Sequence, residues 1–243
     1  MLGSTTGSSV PRVHWRLEHP DLVLGLCRVD GLSARPADGE LAAYIEAELA
    51  RIPDPPEATQ KAIRQLLKRG GFKATGRNKP ASEYLVEARR RGEWPKILDC
   101  VDVMNLVSLE SGFPISILDL GRLDALHPGR ELCVRFGQEG ERYVFNQAGH
   151  IIDLNGLLGL AIDGGEMPIA GSASTPGEML ANPVKDSVPT KVQAGASSVL
   201  IAIYASRLVA DEAMVRDVAA RFAKPFGGGA ITVLTGPAAS VQG

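Results

Sequence analysis

Apolar residues recur at three- and four-residue spacing through the first half of the chain and in short strand-like runs through the second, so the pattern changes midway. Leu22–Val29, with Val and Leu around Cys27, reads as an early strand. Asp38 is placed to cap a helix reaching about Ile52, because Leu41, Ile45, Leu49 and Ile52 share one face. Pro53–Pro56 breaks it. A second helix follows, with Ile63, Leu66 and Leu67 inward, Lys61, Arg64 and Lys68 outward, and Gly70-Gly71 as its stop. Pro80 opens a third helix that runs to Gly92. A fourth, about Lys96 to Glu110, turns Ile97, Val101, Met104 and Leu109 to the core, and Gly112 and Pro114 close it.

Beyond Pro114 come 114–118, 131–136, 142–146, 150–153 and 157–162, short runs separated by Gly, Asn or Gln turns, which predict a mostly antiparallel meander. Met167–Ser187 is rich in Gly, Pro and Ser, the composition of a functional loop. Strand 199–205, helix 211–223 and strand 230–234 end the chain. Helices first, strands later and a closing strand–helix–strand unit predict an α+β fold: N-terminal helices packed on a mostly antiparallel sheet. No repeat or long linker divides residues 1–243, which read as one domain.

Composition narrows the function. The start, Met1 to Val10, lacks the basic and apolar parts of a secretion signal, and no apolar run approaches the about 20 residues that span a bilayer. A soluble, cytoplasmic protein with no membrane partner is expected. Cys27, Cys100 and Cys133 form no CxxC pair, and the four histidines show no metal-binding spacing, so no metal or cofactor is called for. The net charge is −2, yet Lys61 to Lys96 holds eleven Lys or Arg against three Glu, a local +8. That asymmetry suits either a polyanion-binding patch or a solvated helical face.

Two segments carry candidate chemistry. From Lys68 to Lys79, basic residues surround three glycines and Phe72. Gly lets a phosphate approach backbone N–H groups, while Lys68, Arg69, Lys73, Arg77 and Lys79 neutralise it and Phe72 offers a ring to a nucleobase. The alternative is a plain charged loop. The second segment is Asn182-Pro183-Val184-Lys185-Asp186-Ser187, followed by Thr190 and Lys191. Lys185 can stabilise an oxyanion and Asp186 can orient a water, or the stretch is simply a capped turn. No GxSxG elbow, GxGxxG fingerprint or Ser–His–Asp order supports covalent chemistry.

The run 99–119 resembles the signature of the phenylalanyl-tRNA synthetase beta subunit. Val101, Asp102, Asn105, Val107, Leu109, Glu110, Gly112, Pro114 and Asp119 match it in register. Ile169-Ala170-Gly171 is more weakly similar to a later segment of the same module, and 68–85 and 182–187 look like its free-standing relatives. The likeness covers about residues 55–205 and implies a tRNA-editing module without the synthetase core. Together with the residue chemistry above, it makes Lys185, Asp186, Asn182 and Ser116 the expected catalytic residues, and Asn105, Glu110, Ala170, Gly171 and Ser187 the expected substrate contacts. Ser116 stands where the family has His, and the acid that reads a tyrosine hydroxyl falls near Ala181 or Asn182, so tyrosine selectivity does not carry over. The expected function is a trans-acting deacylase of mischarged tRNA, with the aminoacylated 3′ end as partner. A non-catalytic tRNA- or RNA-binding module is the alternative, and a protein- or metabolite-binding domain the third reading.

Overall fold

The computed structural model describes residues 9–164 and 177–237. Its first strands are β1 (Val13–Trp15) and β2 (Leu22–Asp30), followed by four helices: α1 (Gly39–Arg51), α2 (Glu57–Lys68), α3 (Ala81–Arg91) and α4 (Asp99–Ser111). Asp38 stands at the α1 N-cap in extended conformation without a side-chain capping bond. In α2 the expected face is buried and Lys61, Arg64 and Lys68 are exposed. Burying Ile63, Leu66 and Leu67 contributes about 1.5–3 kcal/mol each. Gly92 and Gly112 take positive φ and end α3 and α4, as only glycine does without strain. α4 starts later than its apolar pattern suggests, and Ile97 lies outside it, 52% exposed rather than in the core.

The second half comprises β3 (Ile115–Asp119), α5 (Leu120–Leu126), β4 (Leu132–Phe136), β5 (Arg142–Val144), β6 (Ile151–Asp153), β7 (Leu158–Ile162), β8 (Met179–Ala181), β9 (Ser198–Ser206), α6 (Glu212–Ala223) and β10 (Ala230–Thr235). The fold is α+β, but its strands form two four-stranded sheets and a hairpin rather than one meander. One sheet has the order β10-β2-β9-β3 and is wholly antiparallel. The other has the order β1-β4-β7-β8, with β1 parallel to β4. Among the described residues β5 and β6 pair only with each other. The expected strand after Pro114 joins no neighbour in sequence; β3 pairs instead with β9, with Ile115 opposite Ile203, 88 positions on, and Ser116 opposite Ala202 next. An apolar strand buried on both faces takes the partner that completes the core, and local spacing does not name it.

Register assigns the faces of the first sheet. Gly25, Ile203 and Ile115 are aligned, and a Cβ on Gly25 would lie 2.4 Å from Val215 of α6. That row therefore faces α6. Leu26, Ala202 and Ser116 form the next row and face the opposite side, as does Tyr204. One continuous apolar cluster runs from Leu22 to Ala223 through both sheets and most helices.

Candidate functional site

The site begins where β8 ends. Asn182 Oδ1 accepts the N–H groups of Val184 and Lys185, each at 2.8 Å, and so folds the following residues into a tight Asx turn. Its amide nitrogen donates to the Tyr143 hydroxyl, which in turn donates to the Lys185 carbonyl. Ser116 Oγ donates to the Asn182 carbonyl at 3.0 Å, and the Ala81 N–H to the Pro183 carbonyl at 2.9 Å. The turn is thus held from three sides: by β3, by the β5–β6 hairpin and by the first turn of α3.

Beneath it lies a buried polar cluster. Asp186 Oδ2 accepts the Ile117 N–H at 3.2 Å, whereas Oδ1 is closed to solvent and has no hydrogen-bond partner among the described residues. The residue keeps some exposed surface, but that oxygen does not. Burial pushes the Asp186 carboxyl up to about 6, against the opposing effects of the Ser116 hydroxyl, the Ile117 N–H and the Lys191 charge. Ser116 directs its proton to Asn182, so it lies beside Asp186 and Tyr204 without a well-formed bond to either. Ser187 Oγ, Thr190 Oγ1 and Tyr204 Oη are also buried without partners among the described residues. Four such atoms together are unusual in a folded interior. Burial raises both tyrosine hydroxyls, Tyr143 and Tyr204, above their ordinary range.

Above the turn is a rim of cations and rings. Lys185 Nζ lies 3.9 Å from the Phe145 ring centroid and 5.8 Å from that of Tyr84. Desolvation lowers its pKa, and the charges of Arg77 and Lys191 lower it further. Lys79 Nζ sits 4.4 Å from the Tyr84 centroid, and Tyr84 Oη donates to the Arg77 carbonyl at 2.6 Å. Lys191 Nζ donates to the Phe145 carbonyl at 2.5 Å, and Phe145 stacks on His150. Arg77, Lys185 and Lys191 therefore converge on one place with little local acid to neutralise them.

Ser116 lies beside Asn182, Lys185, Asp186 and Ser187, and Arg77 and Lys79 join them at the rim. The other candidates fall elsewhere. Phe72 is 6% exposed and offers no stacking face; Tyr84 and Phe145 supply the rings instead. Arg69 turns to the Glu18 carbonyl and the Asp21 carboxylate, while Lys68 and Lys73 are at the surface. Asn105 is buried in α4. On the same helix Glu110 pairs with Arg221 of α6, on the sheet face opposite Ser116, so it does not join the other residues expected to contact substrate. Its helix packs beside α6, and that contact decides its side. Ala170 and Gly171 lie outside the described residues.

The basic excess of 61–96 is mostly compensated where it stands. Lys61, Arg64, Arg69, Lys79, Arg89, Arg90, Arg91 and Lys96 each have a carboxylate within 4.0 Å. Among the described residues Lys68, Lys73 and Arg77 have none, and of these only Arg77 reaches the rim. Sequence reasoning missed Tyr84, Tyr143, Phe145 and Tyr204. The signal was thin: only twelve of 243 residues are Phe, Trp or Tyr, and four of them collect here.

Burial raises the three thiols, Cys27 and Cys100 to about 12 and Cys133 to about 11, which leaves them unreactive. Among the described residues no group of three or more His, Cys, Asp or Glu is placed to hold a metal ion, and no helix is long and apolar enough to cross a membrane. Compared with known proteins, the chain matches no family model and no curated protein.

Proposed function

We propose that this protein is a trans-acting hydrolase of the aminoacyl ester at the 3′ end of tRNA. The observation that carries the reading is the stacking of two unlike environments on one turn. The cationic, aromatic rim suits a phosphodiester and a base. The buried polar cluster below holds the turn that carries Lys185, and so fixes where that ammonium meets an ester. In hydrolysis a water oxygen bonds to the ester carbonyl carbon, the carbon–ribose oxygen bond breaks, and the proton passes to the released 3′ end. The ester is already reactive, so positioning it with a water and stabilising the oxyanion suffices. The Val184 and Lys185 amides are occupied by Asn182, which leaves the Lys185 ammonium as the donor for that oxyanion. Asp186, with one oxygen sealed and the other on Ile117, fixes the turn rather than holding the attacking water.

The commitment of Ser116 Oγ to Asn182 and the sealing of Asp186 leave the site without an evident general base, which favours tRNA binding without turnover as the second reading. Single-turnover deacylation across a panel of charged tRNAs separates the two. Hydrolysis of one or more esters is expected, with Lys185→Ala slowing it about 100- to 1,000-fold while tRNA affinity changes far less. Wild-type protein that binds tRNA but leaves every ester intact would sink the hydrolase reading.

A further inference from the structure

The first sheet has two edges, and they are treated differently. At the β3 edge the Ile117 N–H donates to Asp186 and the Asp119 N–H to the Thr190 carbonyl, so the loop after β8 covers it. Among the described residues β10 has β2 on one side and no strand on the other. It runs six residues in unbroken register with β2, from Ala230 opposite Arg28 to Thr235 opposite Val23. Its sequence, Ala-Ile-Thr-Val-Leu-Thr, contains no charge and no proline. Edge strands ordinarily carry such features, or a bulge, to prevent pairing.

The direction of its backbone groups follows from one bond just beyond its end. Gly236 donates its N–H to the carbonyl of Leu22, the residue opposite it in the same register. In an antiparallel ladder every second pair is bonded in this way. Thr232 and Leu234 therefore bond inward to Leu26 and Leu24, while Ile231, Val233 and Thr235 point their N–H and C=O groups out of the sheet. No described backbone group meets them.

We propose that β10 is a self-association edge, at which two copies of this chain pair antiparallel about a two-fold axis through Val233. The outward set 231, 233 and 235 is symmetric about its centre. Val233 then meets Val233 of the partner subunit, and Ile231 and Thr235 meet each other's counterparts, with about six hydrogen bonds and no outward group left over. The absence of charge means that bringing two identical strands together meets no repulsion. A second copy is thus the occupant whose pattern this edge matches without adjustment. Strand pairing alone buries less than the about 1,200 Å² of a standard stable interface, so the dimer is reversible.

Sedimentation equilibrium of the full chain from about 1 μM to about 1 mM tests this. The mass should rise from the 25.7 kDa of one chain towards twice that value. Val233→Lys and Val233→Glu each oppose two like charges about 5.5 Å apart across the axis and should stay monomeric, whereas their equimolar mixture should dimerise. Val233→Pro removes only an outward N–H, keeps the ladder to β2, and should also be monomeric with an unchanged circular dichroism spectrum. It carries the test if the charged variants fail to fold. Wild type that stays monomeric throughout, or a Val233→Pro protein that dimerises like wild type, would overturn the proposal. A Lys and Glu mixture of folded variants that remains monomeric would overturn it as well.

Discussion

Asp186 offers the sharpest test of how the site is built, because its carboxyl is held in the folded protein at a cost the structure makes calculable. Its ordinary value is 3.8 and burial raises it to about 6. That difference corresponds to about 3 kcal/mol at 25 °C. The folded state binds the Asp186 proton more tightly than the unfolded chain does. Stability from this group is therefore fully present below about pH 3.8, falls as pH rises to about 6, and is level above. In Asp186→Asn the side-chain oxygen can still accept the Ile117 N–H, and the new NH₂ lies where Oδ1 now has no donor, beside the free lone pairs of Ser116 Oγ. The variant should lose the titration and keep the shape. Urea unfolding of both proteins at intervals between pH 4 and 7.5 isolates the effect, since all other titrating groups cancel in the difference. The variant should gain on wild type by up to about 3 kcal/mol across that window. Parallel profiles, with a constant difference at every pH, would show that the carboxyl is not buried as described.

Three further outcomes probe the rim, the turn and the frame. Arg77→Ala combined with Lys191→Ala should flatten the log–log salt dependence of tRNA binding by roughly two phosphate contacts, at about 0.7–0.9 each, in filter-binding titrations; an unchanged slope would place the phosphate elsewhere. Tyr143→Phe leaves the Asn182 amide and the Lys185 carbonyl without their shared partner, and should lower unfolding free energy by about 1–3 kcal/mol while slowing deacylation, with no loss in either marking the hydroxyl as idle. Gly70→Ala places a methyl 2.2 Å from the Gly156 carbonyl oxygen and against Phe136, so a drop of about 1–3 kcal/mol or more is expected in thermal melts. A neutral result would mean that α2 can move away from the β6–β7 turn freely.

The helices were legible because each carries its own information. Period, proline and glycine are local, and α2 and α3 follow them nearly to the residue. Strand partners are not local. Nothing near Pro114 says that β3 will pair with β9, and the three-residue strands β1 and β8 are too short to show a period. Exposure of Ile97 shows the same limit, since an apolar residue just before a helix looks like part of its face until the first turn is fixed by Asp102 accepting the Ile97 N–H.

The site was half legible for a related reason. A polar run such as 182–187 signals itself by composition, and its turn is closed by its own first residue, Asn182. What makes it more than a turn comes from elsewhere in the chain, and each contribution is a single side chain: Ser116 from β3, Tyr143 from the hairpin, Tyr204 from β9 and Tyr84 from α3. None is unusual where it stands. The basic segment misled in the opposite direction. Eleven cations in a row of sequence look like a patch, but α2 and α3 lay most of them against carboxylates, Arg64 on Glu83 and Arg89 and Arg90 on Asp54 among them. Arg77 stands apart from them: the Asx turn of 182–185 meets the start of α3 through the Pro183 carbonyl, and the Arg77 charge just before that helix acts on Lys185. The placement of that charge rests on contacts between segments about a hundred residues apart, the Ala81–Pro183 hydrogen bond among them, and a count along the chain has no access to it.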